Sequence, residues 1–283
     1  SLVSFSGFYS YSHAATSADF WQAPAFGGPD FTWTGAGEGD AVDTAGNWEG
    51  DAAPSRQENK GPHLIFNDVD VTVTGTPPNT SDGGGISVTG NSNVSVSLGQ
   101  WGGSVYVGAG STLSTTFSNQ IKSMEAEGHA NIYVDGTLNL TTPGGNLNFD
   151  NGTGSGSHYW HIGLDGMINL SNTTTVTKND RTWNVEVVVA GAMEALTVTN
   201  RELVDDALLT RYFMSTGADL GASLDSLLIW KQTGEDTYEA LTRVDSADQL
   251  GAGNFVLVSN GSGMSVEYQG TGYNMETLVW NST

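Results

Sequence analysis

Two short segments of the chain each place an aspartate directly before a residue with a hydroxyl group. Asp43 begins the sequence Asp-Thr-Ala-Gly, and Asp245 begins Asp-Ser-Ala. Two carboxylates that share one proton can hydrolyse a peptide bond, because one activates water while the other protonates the carbonyl. Thr44 and Ser246 would orient the two carboxylates. The alternative interpretation is a pair of solvated turns, since Asp-Thr and Asp-Ser commonly begin turns and Ala45 stands where glycine is expected.

Histidine is a second source of chemistry, and the chain has five: His13, His63, His129, His158 and His161. Only His158 and His161 are close in sequence, and a spacing of three suits a metal on a helix or a turn. On a strand the two side chains would face opposite sides. No Gly-x-Ser-x-Gly segment marks a nucleophilic serine at a strand–helix turn. We therefore interpret the histidines as surface or hydrogen-bonded residues and expect no metal and no cofactor.

Aromatic residues are the better indication of binding. Trp101, Tyr106 and Tyr133 lie among Asn, Asp and Gln residues, a combination that suits stacking on sugar rings with recognition of hydroxyl groups. Tyr106 and Tyr133 each stand between two apolar residues that we expect to point inward. If their strands adjoin, the two rings should lie one above the other, about 4.8 Å apart. The alternative is that such an aromatic repeat belongs to the core.

The charge balance excludes several classes of partner. The 283 residues include 9 Lys and Arg against 31 Asp and Glu, so the net charge is -22. Nucleic acid and anionic lipid would both be repelled. The chain has no cysteine, which removes disulfides, thiolate metal sites and cysteine nucleophiles. No apolar run reaches the roughly 18–20 residues that a membrane helix needs, so we expect no membrane insertion.

The spacing of apolar residues predicts an all-β fold. From Leu64 onward, apolar and polar residues alternate with the period of a strand. Three apolar triplets are each followed by a glycine corner: Val105–Val107, Ile132–Val134 and Ile162–Leu164. The corner glycines Gly110, Gly136 and Gly166 are 26 and 30 residues apart, a period typical of a parallel β-helix, or β-solenoid. An antiparallel β-sandwich with regular hairpins is the alternative.

This pattern makes specific predictions about side chains and boundaries. Val107, Val134 and Leu164 should form one inward ladder. Residues 1–63 form a Trp-rich entry segment, residues 64–199 the solenoid, and residues 200–283 a short helix followed by an antiparallel β cap. The helix is predicted over Asn200–Met214, with Asn200 as its N-cap. The cap comprises a hairpin and further strands, predicted over Leu227–Trp230, Tyr238–Leu241, Phe255–Val258, Met264–Tyr268 and Met275–Trp280.

The opening of the chain carries a recognisable pattern. It consists of Phe31-Thr-Trp-Thr-Gly35, Gly39-Asp40, Ala45-Gly-Asn-Trp48, Ala53-Pro54 and Leu64-Ile-Phe66. This resembles the first repeat of autotransporter-type passenger proteins, which Gram-negative bacteria export, mucus-dwelling ones among them. The resemblance implies a right-handed β-helix. It does not imply one function, because adhesins, proteases and glycan-active proteins share the family.

From these observations we expect a secreted or cell-surface, passenger-like protein that engages a host glycoprotein or glycan such as mucin. One alternative is an acid-type aspartic endopeptidase that degrades the same class of glycoprotein; another is a purely structural surface module. The start, Ser1–Phe5, has no basic segment followed by an apolar core, so a signal peptide is not expected in this sequence. We expect a monomer.

Overall fold

The computed structural model describes a little over two thirds of the chain: residues 15–16, 26–80, 82–98, 103–117, 120–121, 130–142, 144–149, 158–173, 175–178, 183–190, 208–217, 220, 224, 227–234 and 237–269. Predictions that fall on other residues, among them Trp101, residues 200–207 and Met275–Trp280, lie outside these ranges. Within them, no helix is both long and apolar enough to cross a membrane.

The described secondary structure is almost entirely β-strand. The first strands are β1 (Ala15–Thr16), β2 (Asp30–Thr32), β3 (His63–Asn67), β4 (Asp70–Val73), β5 (Gly85–Thr89) and β6 (Asn93–Leu98). The middle strands are β7 (Ser104–Val107), β8 (Thr112–Phe117), β9 (Gln120–Ile121), β10 (Ala130–Val134), β11 (Thr137–Thr141), β12 (Asn146–Phe149), β13 (His158–Ile162), β14 (Met167–Ser171), β15 (Thr175–Lys178) and β16 (Trp183–Ala190). The last strands are β17 (Leu208–Thr216), β18 (Leu228–Gly234), β19 (Thr237–Ala240), β20 (Thr242–Arg243), β21 (Asn254–Ser259) and β22 (Gly263–Gln269). Short 3-10 turns lie at Ala45–Asn47, Glu49–Asp51 and Ala247–Gln249.

These strands form three sheets. The first sheet has ten strands in the order β1-β19-β18-β16-β13-β10-β7-β5-β3-β2, and the second has nine in the order β20-β21-β22-β17-β14-β11-β8-β6-β4. A third sheet contains β15, β12 and β9. From β7 to β16 the chain passes through the first, second and third sheets in turn and then returns to the first. Every pairing described among β2–β16 is parallel, so the hairpins of an antiparallel sandwich are not formed there.

The core lies between the sheets and is built from columns of aliphatic side chains. Because side chains alternate between the two faces of a strand, every second residue of the first sheet points inward. One column, in register from strand to strand, consists of Val88, Val107, Val134, Ile162, Val187 and Ile229. All six are buried. Each such side chain stabilises the fold by about 1.5–3 kcal/mol relative to an exposed one.

The predicted ladder is correct for Val107 and Val134 but wrong for Leu164, whose place is taken by Ile162. The reason is the length of the corner that joins the first sheet to the second. That corner has two residues after Val134 and four after Ile162. The sequence prediction aligned the strands by their distance from the corner glycine. Because the corner after Ile162 is two residues longer, that alignment selected Leu164 in place of Ile162 as the partner of Val134. Leu164 lies in the longer corner and is only partly buried.

Two corner glycines are required by the close approach of stacked corners. A Cβ atom at Gly136 would overlap the carbonyl oxygens of Ser111 and Gly108, and one at Gly166 would overlap the carbonyl oxygen of Val134. Gly166 also donates its N–H to the Gly163 carbonyl at 3.0 Å, which closes the turn. The regular spacing of glycine in this part of the chain thus follows from the stacking of its corners.

Trp33 and Trp48 of the Trp-rich entry segment form an aromatic cluster beside β2 and β3. Trp33 and Trp48 meet edge to face, with ring centroids 5.0 Å apart, and both contact Phe66. The indole N–H of Trp48 donates to the Val42 carbonyl at 2.8 Å. The Asn47 side chain accepts from the N–H of Gly37 and donates to two carbonyls of the same loop. The Asn-Trp pair therefore joins the entry loop to the core.

The C-terminal part departs from the prediction at its start. Residues 208–214, predicted as helix, lie in β17, which pairs parallel with β14 and antiparallel with β22. Pairing of this segment with β22, and of Met214 with β14 as well, overrides a weak local helix preference, and Phe213 and Met214 are fully buried. The hairpin is confirmed as β18 and β19, and the two following strands are confirmed as β21 and β22, paired antiparallel.

Candidate functional site

The outward face of the first sheet carries a row of rings. Tyr106 and Tyr133 are register partners on the adjacent parallel strands β7 and β10, as the sequence predicts. Their neighbours along each strand are buried valine and isoleucine, so alternation directs the two tyrosines away from the core. Both tyrosines are half-buried. The two tyrosines are therefore neighbours on adjacent strands, as the sequence predicts.

A third ring extends the row. His161 on β13 is the register partner of Tyr133, and the two rings are stacked with centroids 4.2 Å apart and planes 14° apart. Sequence analysis did not assign His161 to this face, because the corner length displaced the alignment. His161 stands between Trp160 and Ile162, both of which are buried, and this apolar–polar alternation is the sequence pattern that indicates an outward-facing His161. We call Tyr106, Tyr133 and His161 the aromatic ladder.

Carboxylates flank the aromatic ladder at one end and along one side. Glu186 is the register partner of His161, and its Oε2 lies 3.3 Å from Nδ1 of that ring. Burial, and then the charge of Glu186, raises the pKa of Tyr133. Burial, and then the charge of Asp135, raises the pKa of Tyr106. Both phenols therefore keep their protons well above neutral pH and can donate hydrogen bonds to a ligand.

Asp135 lies in the two-residue corner that follows β10. Burial is the largest cause that raises its pKa, while a hydrogen bond from the backbone N–H of Asp165 lowers it. Its Oδ1 is buried and has no hydrogen-bond partner among the residues that the structure describes. The guanidinium of Arg211 anchors the neighbouring corner by donating to the carbonyls of Gly163 and Gly166, at 3.1 and 2.6 Å. The hydrogen bond from Asp165 to Asp135 therefore joins the corner after β10 to the corner after β13, which Arg211 also contacts.

This arrangement can bind a ligand that has both an apolar face and hydroxyl groups. Aromatic rings contribute area and polarisable surface, while phenol and carboxylate groups exchange hydrogen bonds with hydroxyls. Sugars have both properties. Of the three predicted sugar-binding residues, the structure brings Tyr106 and Tyr133 together, and Trp101 lies outside the described residues.

The predicted pair of aspartates is not brought together. Asp43 lies in a turn whose neighbour Ala41 bridges to Thr74, next to β4 at one edge of the second sheet. Asp245 follows β20 at the opposite edge of the same sheet. Eight strand spacings of about 4.8 Å, or about 38 Å, lie between these edges. Carboxylates that share a proton must lie about 3 Å apart, so Asp43 and Asp245 do not form such a pair.

Their neighbours show no catalytic arrangement either. The N–H of Thr44 donates to the carbonyl of Ala41 at 3.2 Å, and the N–H of Asp245 donates to the side-chain Oε1 of Gln249 at 3.0 Å. Both aspartates and Ser246 are exposed. These contacts are those of two solvated turns, the alternative considered from the sequence. The physical reason is that the loop containing Asp43 lies beside β4, whereas Asp245 follows β20, at opposite edges of the second sheet.

A hydrogen-bonded chain of three side chains occupies the same outward face near β2. Asp30 Oδ1 lies 2.7 Å from His63 Nδ1, and His63 Nε2 lies 2.7 Å from Ser87 Oγ. Sequence analysis predicted only that His63 would be a surface or a hydrogen-bonded residue. The three residues are 33 and 24 positions apart, so no local motif reveals them. Their proximity follows from the parallel pairing of β2, β3 and β5.

Comparison of the chain with protein-family models, with curated proteins and with solved structures finds no match. In the part of the chain that the structure describes, no three His, Asp or Glu side chains are grouped so that they could hold a metal ion.

Proposed function

We propose that the chain is a secreted or cell-surface, passenger-like β-solenoid that binds the neutral glycans of a host glycoprotein such as mucin. The observation that supports this most directly is the register of Tyr106, Tyr133 and His161 beside Glu186. In this row, the aromatic rings would contact the apolar faces of successive sugar residues, and the Glu186 carboxylate would accept hydrogen bonds from their hydroxyl groups. The aromatic ladder is the proposed binding surface.

The topology supports the solenoid part of this proposal. The chain returns to the first sheet after visiting the second and third, and each return adds one parallel strand. Repeated addition of this kind gives a long, regular outer face on which identical positions align. The packed Trp33–Trp48 entry cluster is in keeping with the resemblance of the opening to passenger proteins.

The charge of the protein favours neutral glycans over acidic ones. The net charge is -22, and Glu186 and Asp135 stand directly beside the ladder. Sialylated or sulfated chains would meet repulsion that salt screens, whereas neutral hexose or N-acetylhexosamine chains would not. Binding of neutral glycans should therefore depend little on salt.

The test is binding of desialylated mucin glycans to the whole chain, measured by biolayer interferometry. The Tyr106→Ala/Tyr133→Ala double variant should lose at least tenfold in affinity, since each ring contributes about 0.5–1.5 kcal/mol beyond its buried area. Tyr212→Ala is the matched control, because Tyr212 is an exposed tyrosine on the second sheet (39 % exposed). Unchanged affinity in the double variant would exclude the aromatic ladder as the binding surface, and no binding by the wild type would leave the purely structural module as the better explanation.

A further inference from the structure

The chain Asp30–His63–Ser87 has the connectivity of an acyl-transfer triad. The carboxylate of Asp30 contacts one ring nitrogen of His63, and the hydroxyl of Ser87 contacts the other. With the Nδ1–H donated to Asp30, the lone pair of Nε2 is left to accept the proton of Ser87 Oγ. We propose that these residues form a hydrolytic site for short-chain carboxylic esters, with Ser87 as nucleophile, His63 as general base and Asp30 as positioning residue.

The strands hold the three side chains without any local motif. Asp30 and His63 are register partners on β2 and β3. His63 is paired in turn with Gly85 on β5, and Ser87 lies two residues further along β5 on the same outward side. Because Gly85 has no side chain, the imidazole can pass over it diagonally to Ser87. A Cβ atom at Gly85 would lie 2.6 Å from Cε1 of Phe26, so the glycine is needed.

The surroundings of His63 suit a base. Phe26 stacks on the imidazole with ring centroids 3.6 Å apart and planes 7° apart, which fixes the ring and excludes water from one face. Burial lowers the pKa of His63, and this effect outweighs the hydrogen bond and charge of Asp30, which raise it. The imidazole is therefore neutral at pH 7, the state in which it can accept a proton.

The position of Ser87 limits the size of the acyl group. Its register partners on either side are Ile65 and Tyr106, both larger and half-buried, so the small serine lies in a notch between them. The residue itself is 8 % exposed. Ile65 and Tyr106 are two strand spacings apart, about 10 Å, which leaves space for an acetyl or similar short group.

The reaction balances with water as the second reactant. Ser87 Oγ attacks the ester carbonyl carbon as its proton passes to His63 Nε2, and the carbon–oxygen bond to the alcohol breaks. The alcohol leaves with the proton from His63. Water then gives a proton to His63 while its oxygen attacks the acyl-serine, which releases the carboxylic acid and returns the proton to Ser87.

Tyr106 connects this site with the aromatic ladder, since it is the register partner of Ser87. A sugar that stacked on Tyr106 would place an O-acyl group near Ser87. This step rests on the proposed function, whereas hydrolysis of a simple ester does not. An acetylated sugar is therefore the substrate class that would use both surfaces, and p-nitrophenyl acetate tests the triad alone.

The first experiment treats the whole wild-type chain with a fluorophosphonate probe and maps the label by peptide mass spectrometry. We expect the label on Ser87, formed as the phosphorus–fluorine bond breaks. This measurement needs no variant, so it does not depend on whether a substitution folds. A label spread over several serines, or no label on Ser87, would overturn the proposal in favour of a purely structural hydrogen-bond network.

The second experiment follows hydrolysis of p-nitrophenyl acetate from pH 5 to pH 9. Ser87→Ala should lower kcat/KM by a factor of about 10²–10⁴, and Asp30→Asn should lower kcat and alter the pH profile through the histidine tautomer. Ser95→Ala is the matched control, because Ser95 points outward from β6 on the second sheet, where its register partners are Thr72 and Ser114. Equal rates in wild type and Ser87→Ala would overturn the assignment even if glycans bind the ladder.

Discussion

The ring of Tyr133 lies flat against the imidazole of His161, with centroids 4.2 Å apart and planes 14° apart. The two residues are 28 positions apart in sequence, and parallel pairing of β10 with β13 places them in register. A stack of this kind uses the facing surfaces of both rings. What remains for a ligand is their outer edges, the phenol hydroxyl and the flanking carboxylate of Glu186. Binding at the aromatic ladder should therefore depend on hydrogen bonds as well as on ring area.

Substitutions at Tyr133 separate these two contributions. Tyr133→Phe keeps the stack with His161 and removes only the hydroxyl, so we expect a three- to tenfold loss of glycan affinity with unchanged thermal stability. Tyr133→Ala removes both and should also lower the stability by about 1 kcal/mol. Isothermal titration and thermal unfolding of the two variants make the comparison. Equal affinity of wild type and Tyr133→Ala would contradict the role of the ladder.

The register of the core predicts unequal effects for two neighbouring aliphatic residues. Ile162 is fully buried between Val134 and Val187, whereas Leu164 is half-buried in the corner. Ile162→Ala should lower the free energy of unfolding by about 2–5 kcal/mol, because it leaves a cavity in a packed column. Leu164→Ala should cost clearly less. Urea denaturation of both variants measures the difference, and a larger effect at Leu164 would contradict the register.

The strand content could be predicted from the sequence because alternation is a local signal. Val105, Val107, Ile132 and Val134 stand two apart within their strands, and all four are buried as expected. The length of a corner cannot be predicted in this way. The corner has two residues between β10 and β11 and four between β13 and β14, yet β10 still pairs with β13 and β11 with β14. A fixed period therefore predicts that strands stack but not which residues become partners.

The same limit explains why the candidate sites were only half predicted. Tyr106 and Tyr133 each stand between two aliphatic residues, so their register could be predicted directly from the sequence. His161 required the correct corner length, and the Asp30–His63–Ser87 chain required the pairing of three strands with long loops between them. Residues 208–214 show the converse, because antiparallel pairing with β22 decided their structure against the local helix preference.

Asp135 predicts how stability depends on pH. Because burial raises its pKa in the folded chain, the folded state holds the proton more tightly than the unfolded state does. Its stabilising contribution is complete below the unfolded pKa and is lost as the pH rises through the folded pKa. Asp135→Asn, which is neutral throughout and can still accept the Asp165 N–H, should unfold at a higher temperature than wild type at pH 7.

This difference should shrink as the pH falls towards 4 and below, where Asp135 in the wild type also becomes neutral. Thermal unfolding followed by circular dichroism at several pH values is sufficient. Asp43→Asn is the control, because Asp43 is exposed in its turn and the substitution removes the same formal charge. A shift of equal size in both variants would mean that the effect comes from the net charge of the protein and not from the burial of Asp135.

Asn47 predicts how the entry segment is attached. Its amide oxygen accepts from the Gly37 N–H at 3.0 Å, and its amide nitrogen donates to the carbonyls of Gly39 and Ala41 at 2.9 and 3.1 Å. The residue is fully buried, so removing the side chain takes away the partner of the Gly37 N–H and of the Gly39 carbonyl, while the Ala41 carbonyl keeps only the N–H of Thr44. Asn47→Ala should lower the free energy of unfolding by about 2–3 kcal/mol. Asn47→Asp keeps the acceptor but replaces the donor with a charge that faces two carbonyl oxygens, so it should cost at least as much.

The exposed neighbour Glu49 provides the control, since Glu49→Ala should change stability by less than about 0.5 kcal/mol. Urea denaturation ranks the three variants, and hydrogen exchange should show the loss of protection concentrated at Gly37 and around the Trp33–Trp48 contact. If Asn47→Ala is as stable as Glu49→Ala, the Asn-Trp pattern at the opening has a role other than joining the entry loop to the core.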